Sequence, residues 1–325
     1  VTMSKECKEV FCNSLSQCKQ LSTLTLKDVD LCDALLSLDS VNNFNELTID
    51  NVTMSKECKE VFCNSLSQCK QLSTLTLKDV DLCDALLSLD SVNNFNELTI
   101  DNVTMSKECK EVFCNSLFQC KQLSTLSLKD VDLCDAVLRF DNVNNLNELT
   151  LDNVTMSKEC KEVFFISLSQ CKKLQRLSIK NVNQHEHVSM GKNSDRLLFE
   201  SLSKCEQLMG LRIENMDLDD ALLSLYRPTL NQFELDNVTI STASKMKLFV
   251  LSQFQWLGSL SLKNLDLSDG LHELYNMKRL TNITIENVKL GTVSKVLMCT
   301  SLSQCTQLKF LSLKDLDLGD GLLDL

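Results

Sequence analysis

Apolar residues recur along the chain in one short spacing, apolar-x-x-apolar-x-apolar, first as Leu21, Leu24 and Leu26 and then as Phe44, Leu47 and Ile49. Leu24 alternates with Leu26, and Leu47 with Ile49, around a single polar residue. That period of two predicts a short strand with one buried face. Twelve such strands follow, anchored on Leu24, Leu47, Leu75, Leu98, Leu126, Leu149, Leu177, Leu211, Phe233, Leu260, Ile283 and Leu311. Steps of 23 and 28 residues alternate from Leu24 to Leu177, and one of 34 comes next.

The stretches between strands are of two kinds. In the longer kind Met3, Cys7, Val10, Phe11 and Leu15 share one helical face, and Ser4 stands at the N-cap position. In the shorter kind, Asp30 to Leu38 leaves room for a helical turn or two. Strand and crossover repeated in this order predict an α/β solenoid. A single curved parallel sheet should line its concave face, with helices alternating with short helical turns on the convex face. The 51 residues Val1–Asn51 recur unchanged as Val52–Asn102 and, lightly edited, as Val103–Asn153. Residues 1–325 thus read as one solenoid, with three near-identical double repeats in 1–153 and diverged repeats in 154–325. The strand at Leu177 has a short-type sequence but precedes a long-type helix, and an insertion at about 183–194 stretches that repeat. A protruding loop and a local change of curvature are expected there. The chain opens in a helix and stops in a short segment, so a longer natural chain is expected in both directions. Uncapped ends of this kind invite self-association.

The Leu21, Leu24, Leu26 and Leu31 set and its copies, with Leu15 and Cys18 in the helix and following turn, resembles the leucine-rich repeat family along essentially the whole chain. The likeness is closest to the ribonuclease-inhibitor-like subfamily, which also forms the sensor arm of intracellular NACHT (NOD-like) receptors of innate immunity. The resemblance implies a horseshoe with helices on its convex side. One departure is plain: the family places Asn or Cys at the ninth repeat position, where this chain has Val29, Val52, Val80 and Val103, with Asp28 or Asn51 one residue earlier.

Charge refines the picture. The residue after each strand's last apolar position runs Lys27, Asp50, Lys78, Asp101, Lys129, Asp152, Lys180, Glu214, Asp236, Lys263, Glu286, Lys314. On parallel strands this alternation sets each Lys beside carboxylates and avoids like-charge repulsion between copies. It fails once, at Glu214 beside Asp236. The net charge of −11 makes nucleic acid and anionic membranes poor partners. No apolar run is long enough to insert in a membrane, and one proline with seven glycines excludes flexible tethers.

No active site is read from the sequence: catalytic residues none, metal ligands none, cofactors none. Gly191-Lys192-Asn193-Ser194 lacks the first glycine and preceding strand of a phosphate loop. His185-Glu186-His187 reads as a solvated loop, and His272 as an exposed single residue. The seventeen cysteines show no C-x2-C or C-x3-C pairs and recur with the repeat, so they read as small thiols stacked between repeats, implying a reducing compartment and a cytoplasmic location. Against that stand five glycosylation sequons, at Asn51, Asn102, Asn153, Asn237 and Asn282.

The functional expectation is a protein-binding or ligand-sensing module, the recognition arm of an intracellular immune receptor, that holds a protein ligand on its concave face. A stand-alone inhibitor-like scaffold and a secreted recognition receptor are the alternatives. The first six strands present small, repeated residues such as Thr23, Thr25, Glu46 and Thr48. From the strand at Leu177 onward the surface gains Gln175, Arg176, Lys180, Met209, Arg212, Glu214, Asp236, Trp256, Lys309 and Phe310. Binding hot spots favour Arg, Trp and Tyr, so these residues are the candidate site, with Glu214 and Asp236 unbalanced beside the arginines.

Overall fold

The computed structural model describes residues 3–32, 34–39, 41, 44–90, 92, 94–182, 192–220, 229–243, 256–268 and 278–317. The chain forms two compact units, Val1–Cys171 and Lys172–Leu325. In the first, the elements run α1 (Lys5–Gln17), β1 (Thr23–Cys32), β2 (Glu46–Met54), α2 (Lys56–Leu66), β3 (Thr74–Lys78), β4 (Glu97–Asp101), α3 (Lys107–Leu117), β5 (Thr125–Cys134), β6 (Glu148–Met156) and α4 (Lys158–Leu168). In the second they run β7 (Arg176–Lys180), α5 (Lys192–Leu202), β8 (Gly210–Glu214), β9 (Asp217–Asp219), β10 (Gln232–Asp236), β11 (Thr239–Ile240), β12 (Ser259–Leu267), β13 (Asn282–Leu290), α6 (Thr292–Leu302) and β14 (Phe310–Lys314).

The anchors place the strands as expected. All twelve lie in parallel sheet, ordered as in the sequence, six per unit; β9 and β11 form a separate two-residue ladder. Pairing is in register at the repeat period: Leu24 opposite Leu47, Leu47 opposite Leu75, and Leu75 opposite Leu98. The same holds in the second unit for Leu177, Leu211, Phe233, Leu260, Ile283 and Leu311. The alternate residues Leu75, Leu77, Leu98 and Ile100 are fully buried, so these strands give one face to the core and one to solvent; in β14 the corresponding Leu311 and Leu313 are exposed. This is the α/β leucine-rich repeat solenoid.

The helices start where Ser4 and its copies predict. Ser4, Ser55 and Ser106 accept from the N–H of Cys7, Cys58 and Cys109 at 3.3, 3.2 and 3.2 Å, satisfying an orphan helix donor each. The buried face differs from the sequence reading by one position. Cys58, Phe62, Cys63 and Leu66 are buried, whereas Val10 is 64% exposed. The i, i+4, i+8 line through Cys58, Phe62 and Leu66 faces the sheet, and valine lies at its margin.

The short segments are tighter than a helix. Ala34 N–H donates to Leu31 O and Val41 N–H to Leu38 O, each closing one isolated turn. Between these turns burial alternates, with Ala34, Leu36 and Leu38 inside and Leu35 half exposed. A 23-residue step leaves no length for a helix, and an extended path buries every second side chain instead. Of the insertion, residues 183–191 lie outside the described residues, as do His185, His187 and His272; Lys192, Asn193 and Ser194 open α5 rather than extending a loop.

The departure at the ninth position has a structural answer. Asp28, Asn51, Asp79, Asn102, Asp130 and Asn153 all adopt φ near +50°, as do Asn181, Asn215, Asn237, Asn264, Asn287 and Asp315. Asp and Asn tolerate this left-handed region better than other side chains. Their side chains also bridge neighbours: Asn51, Asn102 and Asn153 donate from Nδ2 to Oδ1 of Asp28, Asp79 and Asp130 at 2.7, 2.7 and 2.6 Å. The ladder is thus carried one residue earlier than in the family, which frees Val29 and its copies to be buried.

Candidate functional site

The solvent face of the sheet can be followed as rows of residues aligned by the strand register. In the first unit the rows are uniform. One runs Thr23, Glu46, Thr74, Glu97, Thr125, Glu148; the next is Thr25, Thr48, Thr76, Thr99, Ser127, Thr150. The third alternates Lys27, Asp50, Lys78, Asp101, Lys129, Asp152, and Lys27 Nζ lies 2.8 Å from Asp50.

Each 51-residue copy also has a half-exposed aspartate that gathers donors. Asp30 accepts from Lys8 Nζ at 2.8 Å, Thr53 Oγ1 at 2.7 Å, and its own turn at Cys32 N–H and Sγ. Asp81 and Asp132 repeat this with Lys59 and Thr104, and with Lys110 and Thr155. These donors hold all three carboxyls well below the usual carboxylate range: the thiol of Cys32 and Lys8 at Asp30, and, against the opposing effect of burial, Lys59 at Asp81 and the thiol of Cys134 with Lys110 at Asp132. Lys59 is itself buried, which explains a charged residue on the helix face. Twelve of the seventeen cysteines are buried and five exposed. Burial pushes the Cys63, Cys114 and Cys120 thiols up to about 12, so they pack as apolar groups.

In the second unit the rows change character. The first is Arg176, Gly210, Gln232, Ser259, Asn282, Phe310, and the second is Ser178, Arg212, Glu234, Ser261, Thr284, Ser312. The mismatch of Glu214 and Asp236 is real in register, but the carboxylates are not unbalanced, which corrects the sequence reading. Arg212 Nη2 lies 3.1 Å and Lys180 Nζ 3.5 Å from Glu214, and Asp236 accepts from Asn264 Nδ2 at 2.7 Å. Arg212 reaches Glu234 as well, at 3.8 Å, and Lys263 sits 3.1 Å from the same carboxylate. Arg212 therefore offsets the fault in the charge ladder, and its guanidinium is committed within the sheet.

Two of the expected residues come together elsewhere. Met209 and Trp256 line one groove of about 480 Å³, with Gln175, Glu206, Gln207, Thr229 and Asn231. The groove lies at the edge where strands begin. Gln175, Met209, Asn231 and Gly258 are linked across this edge, each N–H donating to the preceding carbonyl at 2.7 to 2.9 Å. Gly258 matters here, because a Cβ would meet Asn231 Oδ1 at 3.1 Å. Met209 and Trp256 are 43% and 51% exposed, so the groove offers apolar surface framed by amides. The Arg279 guanidinium lies 3.8 Å from the centroid of the Trp256 ring and holds one of its faces. Phe310, which opens β14, and Lys309 just before it belong to the same edge but stand four strands beyond Met209.

Glu206, Gln207, Thr229, Asn231 and Arg279 were not singled out from the sequence. A signal for Arg279 was present: it stands two residues before Thr281, as Trp256 stands two before Gly258, so aligned repeats place the two side by side. Among the described residues, no group of three His, Cys, Asp or Glu side chains could hold a metal ion, and no helix is long and apolar enough to cross a membrane.

Comparison with known proteins agrees with this architecture. The family model of the leucine-rich repeats of FBD-associated F-box protein At5g56370 matches residues 83–249. A search of curated proteins finds no match. Among solved structures, an internalin from Listeria monocytogenes strain 4b F2365 is similar at 13% identity, over 96% of this chain and 94% of that one, with a TM-score of 0.52. A leucine-rich repeat protein of Leptospira interrogans is similar at 16% identity, over 93% and 80%, with a TM-score of 0.49.

Proposed function

We propose that this chain, which belongs to the leucine-rich repeat family, is a protein-binding module whose partner seats at the strand-start edge of residues 172–325. A protein–protein interaction module is what the fold supports. The observation that carries the location is the groove of Met209 and Trp256, exposed apolar side chains in a frame of hydrogen-bonding groups. That composition is the usual anatomy of a hot spot. Identical copies in the first unit offer no comparable anchor. The test is quantitative recovery of bound proteins from cells expressing wild-type chain, a Met209→Ala/Trp256→Ala variant, or a Thr25→Ala/Thr76→Ala variant. Proteins lost only with the groove variant support the reading; an unchanged set refutes it.

The finer role proposed is the recognition arm of an intracellular innate-immune receptor, acting in the cytoplasm. It rests on the resemblance to NACHT-receptor repeats and on the two identical 51-residue copies, which suit a rapidly duplicating locus. Gene sequence upstream of Val1 encoding a NACHT domain would support it, and a signal peptide there would exclude it. The thiols give a second check: alkylation of freshly purified protein should modify the five exposed cysteines natively and all seventeen after unfolding. Cys83 and Cys134 should react late, because hydrogen bonds to Asp81 and Asp132 keep them protonated. The sequon side chains favour the same reading, since Asn51 and Thr53 are both engaged by aspartates.

A further inference from the structure

The net charge of −11 conceals a division. Residues 1–171 hold 15 Lys and Arg against 26 Asp and Glu, whereas residues 172–325 hold 18 of each. Within the second unit cations gather at one edge. Where strands begin, the described residues present Lys172, Lys173, Arg176 and Lys204 on one side of the groove and Lys278, Arg279 and Lys309 on the other, all exposed. The single acidic residue among them is Glu206. Where strands end, the same repeats mix Glu214, Asp217, Asp236, Asp266, Glu286 and Asp315 with Lys180, Lys263, Lys289 and Lys314. The corresponding turns of the first unit are mixed: the pockets there pair Lys70 with Asp39 and Lys121 with Asp90.

Resting on the groove reading above, we propose that the occupant is an acidic protein segment, extended along this edge, with one aromatic or large apolar side chain inserted beside Trp256 and Met209. Charge complementarity selects the acidic character. The pattern of cations flanking an uncharged, apolar middle selects the anchor, because Trp256 and the Met209 thioether both favour an aromatic neighbour. The length follows from the sheet. Six strand starts at about 4.8 Å spacing span roughly 24 Å, and an extended chain at about 3.3 Å per residue covers that in some seven or eight residues. Arg279 is poised for a double part: it holds one face of Trp256 and leaves donors for a carboxylate.

The probe is a fluorescein-labelled peptide of about ten residues, Glu and Asp with one central Phe, titrated with the full chain at low salt. Three companions carry Lys in place of the acids, Ala in place of Phe, or are oligothymidylate of matching length. The acidic Phe peptide should bind, weaken at least tenfold in Lys172→Glu/Lys278→Glu and weaken severalfold in Met209→Ala. It should be unaffected by Lys70→Glu/Lys121→Glu, the equivalent changes in the first unit. Loss of Phe should cost the wild type more than the Met209→Ala variant. Circular dichroism establishes that each variant is folded. Equal binding of the lysine peptide, indifference to charge reversal, or absence of binding would overturn the proposal. Preference for oligothymidylate would replace the acidic peptide with nucleic acid. If the peptide fails while Met209→Ala/Trp256→Ala still loses cellular partners, the groove stands and only the acidic character falls.

Discussion

Residues 1–171 and 172–325 share one backbone plan and differ in what they display. Both bury a Leu, Ile or Phe at their strand anchors, Leu311 of β14 excepted, and both carry Asp or Asn at positive φ beyond the anchor. On the solvent face one repeats threonine, glutamate and a Lys/Asp alternation, while the other places Arg176, Gly210, Gln232, Ser259, Asn282 and Phe310 along a single row. The difference teaches that the fold needs only the inward residues to be alike. Outward positions are free either to stay copied, where alternating charges keep neighbours compatible, or to become a specific surface.

Substitutions can break or sharpen this contrast. The largest effect should come from the shared core. Phe164 is fully buried and packs edge-on against Phe140, with ring centroids 5.6 Å apart; Phe164→Ala should cost about 3–5 kcal/mol in denaturant unfolding. Phe233→Ala in the second unit should cost a similar amount, and a large disparity would show that the cores are not equivalent. Next comes the displayed surface. Met209→Ala with Trp256→Ala should weaken partner binding by about 2 kcal/mol or more, measured by titration calorimetry once a partner is in hand, while Thr25→Ala with Thr76→Ala changes little.

The aspartate nodes give a smaller, pH-dependent effect. Asp81→Ala should destabilise by about 1–2 kcal/mol, the worth of its lost hydrogen bonds. Since the folded carboxyls of Asp30, Asp81 and Asp132 lie below their unfolded value of about 4, the folded state binds fewer protons than the unfolded one in that range. Their contribution is complete above pH 4 and disappears as the pH falls through the folded values. Acid unfolding should therefore show a shallower slope below pH 4 in an Asp30, Asp81, Asp132 triple asparagine variant; an unchanged slope would mean the nodes do not couple to folding. The smallest effect belongs to the exposed charge row, where Lys27→Ala should lower the denaturation midpoint least of all these changes and the difference should vanish in high salt.

The strand anchors, the serine caps and the register of the charge row were all legible, because each follows from a local period or a single side-chain preference. Three things were not. The Asp28 and Asn51 ladder was visible only as a family residue displaced by one place, since its hydrogen bonds join residues 23 apart. The short segment was read as helical because Leu35, Leu36 and Leu38 fit either period, and burial of alternate residues decided it. The partners of Arg212 were the third: it was named as a candidate binding residue, and its contacts with carboxylates on its own and the next strand were not foreseen. Half of the groove was missed for a related reason: Asn231 and Thr229 are unremarkable along the chain and meet Met209 only across strands.

The unchanged copies have a further consequence, for how the chain finds its fold. Strand β3 meets β2 and β4 through side chains identical to those that β1 offers, in the same register. During synthesis or refolding, a strand start in the first copy thus has two equivalent addresses, and nothing in its contacts counts which copy it has joined. Skipping one copy would leave a 51-residue loop whose closure is only modestly unfavourable, with every other pairing satisfied. A second molecule can supply the missing copy equally well, so exchange of repeats between chains is the misassembly this sequence is built to suffer. The varied rows after Lys172 carry no such ambiguity, and each strand there has a single correct neighbour.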